Sequence, residues 1–288
     1  MMLKRLFYLL PDFVSSIIRR LSYKLYNNEL EDFINNDEYG KYFNITRSQR
    51  IDILKRVKFS ISRTVSATSL EVHLKLIKEI LKLKKKKACV VECGCFQGAS
   101  SVALSIVCKY IGARLIIYDS FEGLPFSEKE IGLREYPHLN LYGYYKKGMY
   151  KSTKEEVIQN LKLYGELSVC ELREGYFNNT LKNHKEYIDF CFLDVDLTKS
   201  TKDCIKYLWK KLRYNSYIYT DDACDLKVVS VWFDQKWWKK NLKQNPPGYV
   251  GSGCGLHLNN NFSSLGYAYK RKKNGVNNLK KFNWLTTK

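Results

Sequence analysis

Four short β-rich runs in this chain each stop at a carboxylate: Ala88 to Val91 at Glu92, Arg114 to Tyr118 at Asp119, Ile188 to Leu193 at Asp194, and Tyr217 to Thr220 at Asp221. Near-continuous apolar runs of this length read as strands buried on both faces. Helix-compatible stretches separate them, so strands are expected near 88–92, 114–119, 168–173, 188–193 and 216–220, with helices near 100–110, 153–164, 200–212 and 226–240. This alternation predicts an α/β fold: a mostly parallel sheet with helices on both faces. In the tail, Gly248 to Gly255 and Leu265 to Tyr269 are read as antiparallel final strands.

The acidic ends fall at the C-terminal edge of the sheet, where open α/β sheets bind ligands. There Asp194, Asp221 and Asp222 are expected to converge. Three carboxylates at one point repel unless a cation joins them. A hard ion with oxygen ligands, Mg²⁺, is the natural occupant. The competing reading makes each aspartate a helix N-cap after a strand; two such clusters downstream of a cofactor motif tilt the balance towards the metal.

That cofactor motif is Val90-Val91-Glu92-Cys93-Gly94-Cys95-Phe96-Gln97-Gly98-Ala99-Ser100-Ser101. Glycines let the backbone approach a ligand closely, and the helix that follows offers free N–H groups at its start. The pattern is E-x-G-x-x-x-G and lacks the phosphate-cradling G-x-G-x-x-G geometry. A second acidic strand tip, Asp119, followed by Ser120, is placed to accept hydrogen bonds from ribose hydroxyls. Two acidic tips around a Gly-rich turn point to a nucleoside cofactor without a pyrophosphate. S-adenosylmethionine fits.

The blocks VVECGCFQGAS, YDSFEGLP, STKEEVIQNL, REGYFNNTL, FLDVDLTKST and YTDDACD, in that order over about residues 60–235, resemble the macrocin O-methyltransferase family. The resemblance implies a class I methyltransferase (Rossmann-like) fold with a seven-stranded sheet, use of S-adenosylmethionine and Mg²⁺, and methylation of sugar hydroxyls. It assigns Thr64, Glu92, Gly94, Gly98, Asp119 and Ser120 to the cofactor, and Asp194, Asp221 and Asp222 to the metal. Asp194 would also act in catalysis, and His138, in the Tyr/His-rich stretch from Glu135 to Tyr150, would be the general base. The chain departs from the family at Asn215-Ser216, where two glycines are usual, at Thr198 in place of a tyrosine, and at Ala223 in place of an aromatic. These departures bear on the acceptor, and no macrolide substrate is inferred.

At 288 residues and 45% hydrophobic content the chain can bury a substantial core. The expected division is an N-terminal helical extension, 1–60, followed by a methyltransferase domain, 61–288. Nine cysteines, an odd number, read as core hydrophobes of a reducing, cytoplasmic compartment. A net charge of +20 permits nucleic acid, anionic membrane or acidic substrate as partner and selects none. Residues 3–25 carry apolar positions at helical spacing with basic residues alongside, interrupted at Pro11-Asp12. The segment is too short and too interrupted by Pro11 and Asp12 to span a bilayer, and it lacks a small-residue cleavage site. Two readings stand: a membrane-surface helix giving peripheral contact at the inner face, or a helix that packs on the domain or on a second subunit in a homo-oligomer. The charge and Asn245-Pro246-Pro247-Gly248 raise a nucleic-acid methyltransferase as the runner-up. That string lies in the wrong place for an amino-methylating motif and reads as a turn, so nucleic acid is the less favoured partner. A non-catalytic methyltransferase-like binding module is the third reading, disfavoured by the intact aspartates.

Overall fold

The computed structural model describes residues 28–129, 144–223, 225–249 and 265–271. His138 and the segment 3–25 lie outside the described residues. A helical stretch over 28–35 precedes α1 (Arg47–Ile61) and α2 (Leu70–Leu81). Thr46 opens α1 through a capping box with Gln49, and the Ser69 side chain accepts from the Val72 N–H to open α2. Then follow β1 (Cys89–Cys93), α3 (Ala99–Ile111), β2 (Arg114–Asp119), a small hairpin of β3 (Glu128–Lys129) and β4 (Tyr144–Tyr145), α4 (Lys154–Tyr164), β5 (Cys170–Glu174) and the short α5 (Phe177–Thr180). The chain continues through β6 (Ile188–Leu193), α6 (Thr198–Lys211), β7 (Leu212–Thr220), α7 (Leu226–Val231), α8 (Gln235–Leu242) and β8 (Gly266–Tyr269).

The main sheet runs β5-β2-β1-β6-β7-β8, parallel throughout except for β8, which lies antiparallel to β7. The described residues hold six of the seven expected strands; the expected Gly-rich strand falls mostly outside them. Side chains alternate across the strands as a pleated sheet requires. Val90, Leu115 and Phe190 face α1, α2 and α3, whereas Val91, Ile116 and Cys191 face α6, α7 and α8. The first cluster also contains Leu30, Phe33, Ile53 and Val57, so the helices before residue 61 bury their apolar side chains in the same core as the sheet.

Two expectations shift. The helix expected over 226–240 is two helices, because Asp234 opens α8 by accepting from the Trp237 N–H. β7 begins at Leu212 rather than 216. Its register against β6 slips between Ile188 and Phe190, and Asn215 absorbs the irregularity at φ 65°. Asparagine visits the left-handed region more readily than most residues, so it stands in for one of the family's usual glycines.

Connections leave β1 towards β2 on one side, while β6 pairs on the other, so the strand order reverses between β1 and β6. Gly94 sits at this reversal with φ +81°, and a Cβ there would lie 1.8 Å from the Asp194 carbonyl oxygen. At the opposite edge, Asp189 is buried and accepts from Lys85 at 2.7 Å, from the Cys89 N–H at 2.9 Å and from Arg213 at 3.1 Å.

Gly94→Ala is therefore expected to lower folding stability by at least about 2 kcal/mol, from backbone overlap plus a positive φ that alanine resists. Thermal unfolding checks this; an unchanged melting temperature would show that β1 and β6 do not approach so closely at their tips.

Candidate active site

The tips of β1, β2, β5, β6 and β7 open on a cavity of about 460 Å³. Asp119, at the tip of β2, lines it and organises its floor. One Asp119 oxygen accepts from the Cys95 N–H at 2.7 Å, the other from the Phe121 N–H at 2.8 Å. A carboxylate has about four lone-pair directions, so capacity is left for hydroxyl donors from the cavity. Ser120 lines the cavity beside it; its Oγ accepts from the Glu122 N–H at 3.2 Å and so holds the Ser120-Phe121-Glu122-Gly123 turn.

Gly94 and Cys95 contribute backbone to the cavity wall, whereas Gly98 is the left-handed N-cap of α3 and packs against Val157. Glu92 lies behind the turn, fully buried, and accepts a short hydrogen bond from the Ser101 hydroxyl. Burial pushes its carboxyl up to about 7, against the pull of the Ser100 and Ser101 hydroxyls. Thr64 is not among the cavity-lining residues: its hydroxyl donates to the Ser60 carbonyl at 2.9 Å, and Ala67, three residues on, reaches the wall instead.

On the far side of Gly94, Asp194, Asp196 and Asp222 each bring one carboxylate oxygen within 4.8 Å of the others. Backbone bonds extend the sheet ladder to set this cluster: Asp194 N–H donates to Cys93 at 2.9 Å and Asp221 N–H to Leu193 at 2.9 Å. Asp196 turns back at φ 55°, and its N–H donates to Asp222 Oδ2 at 3.0 Å. The expected metal triad named Asp221 where the structure groups Asp196. Asp221 lines the same cavity, yet neighbouring residues leaving a strand point apart, and it is Asp222 that turns towards Asp194 and Asp196. Burial, then the charges of Glu92 and Asp119, raise the Asp194 pKa. All three donors are hard anionic oxygens, the ligand set that Mg²⁺ takes, and a divalent cation would offset the burial and the nearby charges of Glu92 and Asp119 that raise the Asp194 pKa.

Around these two poles stand Phe96, Phe126, Tyr145, Tyr150, Tyr176 and Phe177, with Asn178, Asn179 and Lys199. The sequence reading passed over residues 176–179 as ligand contacts. The strand-tip rule that found Asp119 applies to them too, since the Gly175 N–H donates to the Asp119 carbonyl at 2.8 Å and continues β5 along β2. No histidine among the described residues lines the cavity. His73 is buried with Nε2 2.6 Å from the Thr68 hydroxyl, and His184 Nδ1 lies 2.7 Å from the Tyr118 hydroxyl. The Asn245–Gly248 string follows α8 and is not part of the cavity wall.

The macrocin-O-methyltransferase (TylF) family profile matches residues 59–245. The chain belongs to this family. It is accordingly an O-methyltransferase of the class that uses S-adenosylmethionine. The solved structure of the O-methyltransferase NovP is 16% identical, covers 86% of this chain and 99% of its own, and superposes with a TM-score of 0.51, a likeness of fold. CalS11, described as a calicheamicin methyltransferase, is 14% identical over 90% of this chain and 94% of its own, at a TM-score of 0.43. The Podospora anserina methyltransferase PaMTH1, solved with S-adenosylhomocysteine, is 14% identical over 76% of this chain and 88% of its own, at 0.44. None of the curated proteins compared with the chain matches it.

The raised Glu92 pKa carries a sign. Between its ordinary value of 4.5 and about 7 the folded chain holds a proton that the unfolded chain has released. Stability attributable to Glu92 therefore falls as pH rises through that window, by about 3 kcal/mol in all. Glu92→Gln is expected to melt progressively higher than wild type as pH goes from 4.5 to 7, with a constant gap above. A pH-independent gap in ligand-free protein would contradict the assignment.

Proposed function

We propose that this enzyme transfers the methyl group of S-adenosylmethionine to a hydroxyl of a sugar-containing acceptor, with Mg²⁺ held by Asp194, Asp196 and Asp222. The observation that carries the reading is the placement of a strand-tip carboxylate with spare acceptor capacity, Asp119, and a three-carboxylate cluster on opposite sides of one Gly turn, in one cavity. Asp119 would accept from the ribose hydroxyls, with Tyr176 and Phe177 beside it along the tip of β5. The glycine turn lets the rest of the cofactor pass close over β1 towards Asp194.

When bound, Mg²⁺ supplies a Lewis acid that lowers the pKa of an acceptor hydroxyl. The chain's own part is positioning: an oxygen held beside the acidic cluster faces a methyl donor anchored at Asp119, which suits in-line displacement. The hydroxyl proton passes to a base, for which the family resemblance nominates His138. The sugar acceptor is supported by family membership and by two aromatic rings in the cavity wall, Phe126 and Tyr145, surfaces on which sugar rings can pack. For residues 3–25 the proposal keeps two alternatives, packing on the domain or on a second subunit of a homo-oligomer, and peripheral membrane contact, with packing favoured; among the described residues no helix is long and apolar enough to cross a membrane.

Methyl transfer from labelled S-adenosylmethionine, assayed on nucleotide sugars and glycosides with nuclease-treated enzyme, tests the activity. Incorporation only into RNA or DNA would overturn it. Asp119→Ala should weaken S-adenosylhomocysteine binding by about 1–3 kcal/mol, as for loss of a charged acceptor. Asp196→Asn should abolish Mg²⁺ binding by calorimetry while leaving cofactor affinity within a factor of about two. Full methyl transfer in excess chelator would remove the metal from the scheme.

A further inference from the structure

Phe96 and Tyr150 come from loops far apart in sequence and meet at the cavity wall, ring centroids 5.6 Å apart and planes at 80°. Both hold backbone conformations that bulky residues avoid, φ 48° and 57°. Such outliers persist only where surrounding contacts over-determine them. Here the contacts are visible. Cys95, next to Phe96, is bonded to Asp119 through its N–H, and Gly94 packs on Asp194. Met149, next to Tyr150, accepts from the Leu124 N–H at 2.9 Å, in the loop that follows Asp119. Gly123 meets the Met149 carbonyl so closely that a Cβ there would lie 2.5 Å from it. The two rings are thus held at the cavity wall by backbone ties to Asp119 and its following loop, beside the turn that packs on Asp194.

We infer that Phe96 and Tyr150 form an aromatic corner that binds the positive methylsulfonium of S-adenosylmethionine and so sets the enzyme's preference for methyl donor over demethylated product. The inference rests on the cofactor reading above. A donor anchored at Asp119 with its methyl directed at the acidic cluster must pass its sulfur over the tip of β1, where these rings stand. Two perpendicular rings offer two walls of the cage that onium ions favour, through the negative potential of the ring face. S-adenosylhomocysteine has lost that charge. The corner therefore holds the substrate and releases the product, a discrimination that hydrogen bonds to ribose and adenine, common to both, do not provide.

The test compares affinities by calorimetry for S-adenosylmethionine, S-adenosylhomocysteine and sinefungin, in which an amine-bearing carbon replaces the sulfonium. Phe96→Leu and Tyr150→Leu are each expected to weaken the two cationic ligands by about threefold to tenfold while leaving S-adenosylhomocysteine within about twofold. Tyr150→Phe and Phe96→Trp, which keep a ring, should retain the wild-type ratio. Circular dichroism identifies any leucine variant that fails to fold, and the ring-retaining pair then decides: a ratio lowered in Phe96→Trp, despite its stronger ring, overturns the inference. Equal weakening of all three ligands in either leucine variant would also overturn it and reduce the corner to packing. Absence of S-adenosylhomocysteine binding to wild type would instead remove the cofactor reading itself.

Discussion

The approach of Gly94 to the Asp194 carbonyl is the contact on which the site depends. It occurs where the strand order reverses, the place in an open parallel sheet where two chain excursions diverge and leave a crevice. Divergence alone would leave the two halves of the site apart. A residue without a Cβ lets the β1 and β6 tips stay in backbone contact while their loops separate. The acidic cluster is then held against the turn that carries Cys95 and, through it, Asp119.

Negative charge is the site's other organising quantity, and it is handled in two ways. Glu92 is sealed behind the turn, where burial favours its neutral form, and Ser101 gives it a hydrogen bond. Asp194, Asp196 and Asp222 face the cavity and are brought together, an arrangement that costs energy without a cation. A carboxylate is thus sealed away from the cavity in one place and turned towards it in another. What separates the roles is access to the cavity.

Much of this was legible in the sequence, because a buried parallel strand ends abruptly and its last residue has one place to be. Glu92, Asp119, Asp194 and Asp221 follow from that rule. Asp196 does not: whether it turns back towards Asp222 depends on a left-handed backbone at φ 55°, which no periodicity announces. Asp221 and Asp222 are adjacent acids whose difference is a direction of departure from β7, set by the strand's pleat and invisible in composition. The break at Phe233-Asp234 was missed because apolar spacing continues through it, although Asp234 is a good N-cap. The early start of β7 was missed because a slipped register needs a partner strand to be seen against.

The strand order has a consequence for how the chain comes to be folded. β1 is central, but it is made early, and its neighbour β2 follows within a few tens of residues. Its other edge waits for β6, and the bond from the Cys89 N–H to Asp189 spans 100 residues. Until that length has been synthesised, one side of this strand, buried along its whole length in the finished fold, is an open template for pairing with other chains. Loop closure of this span also places the molecule among slow-folding topologies. The ribosome, rather than the finished enzyme, meets this protein at its most vulnerable.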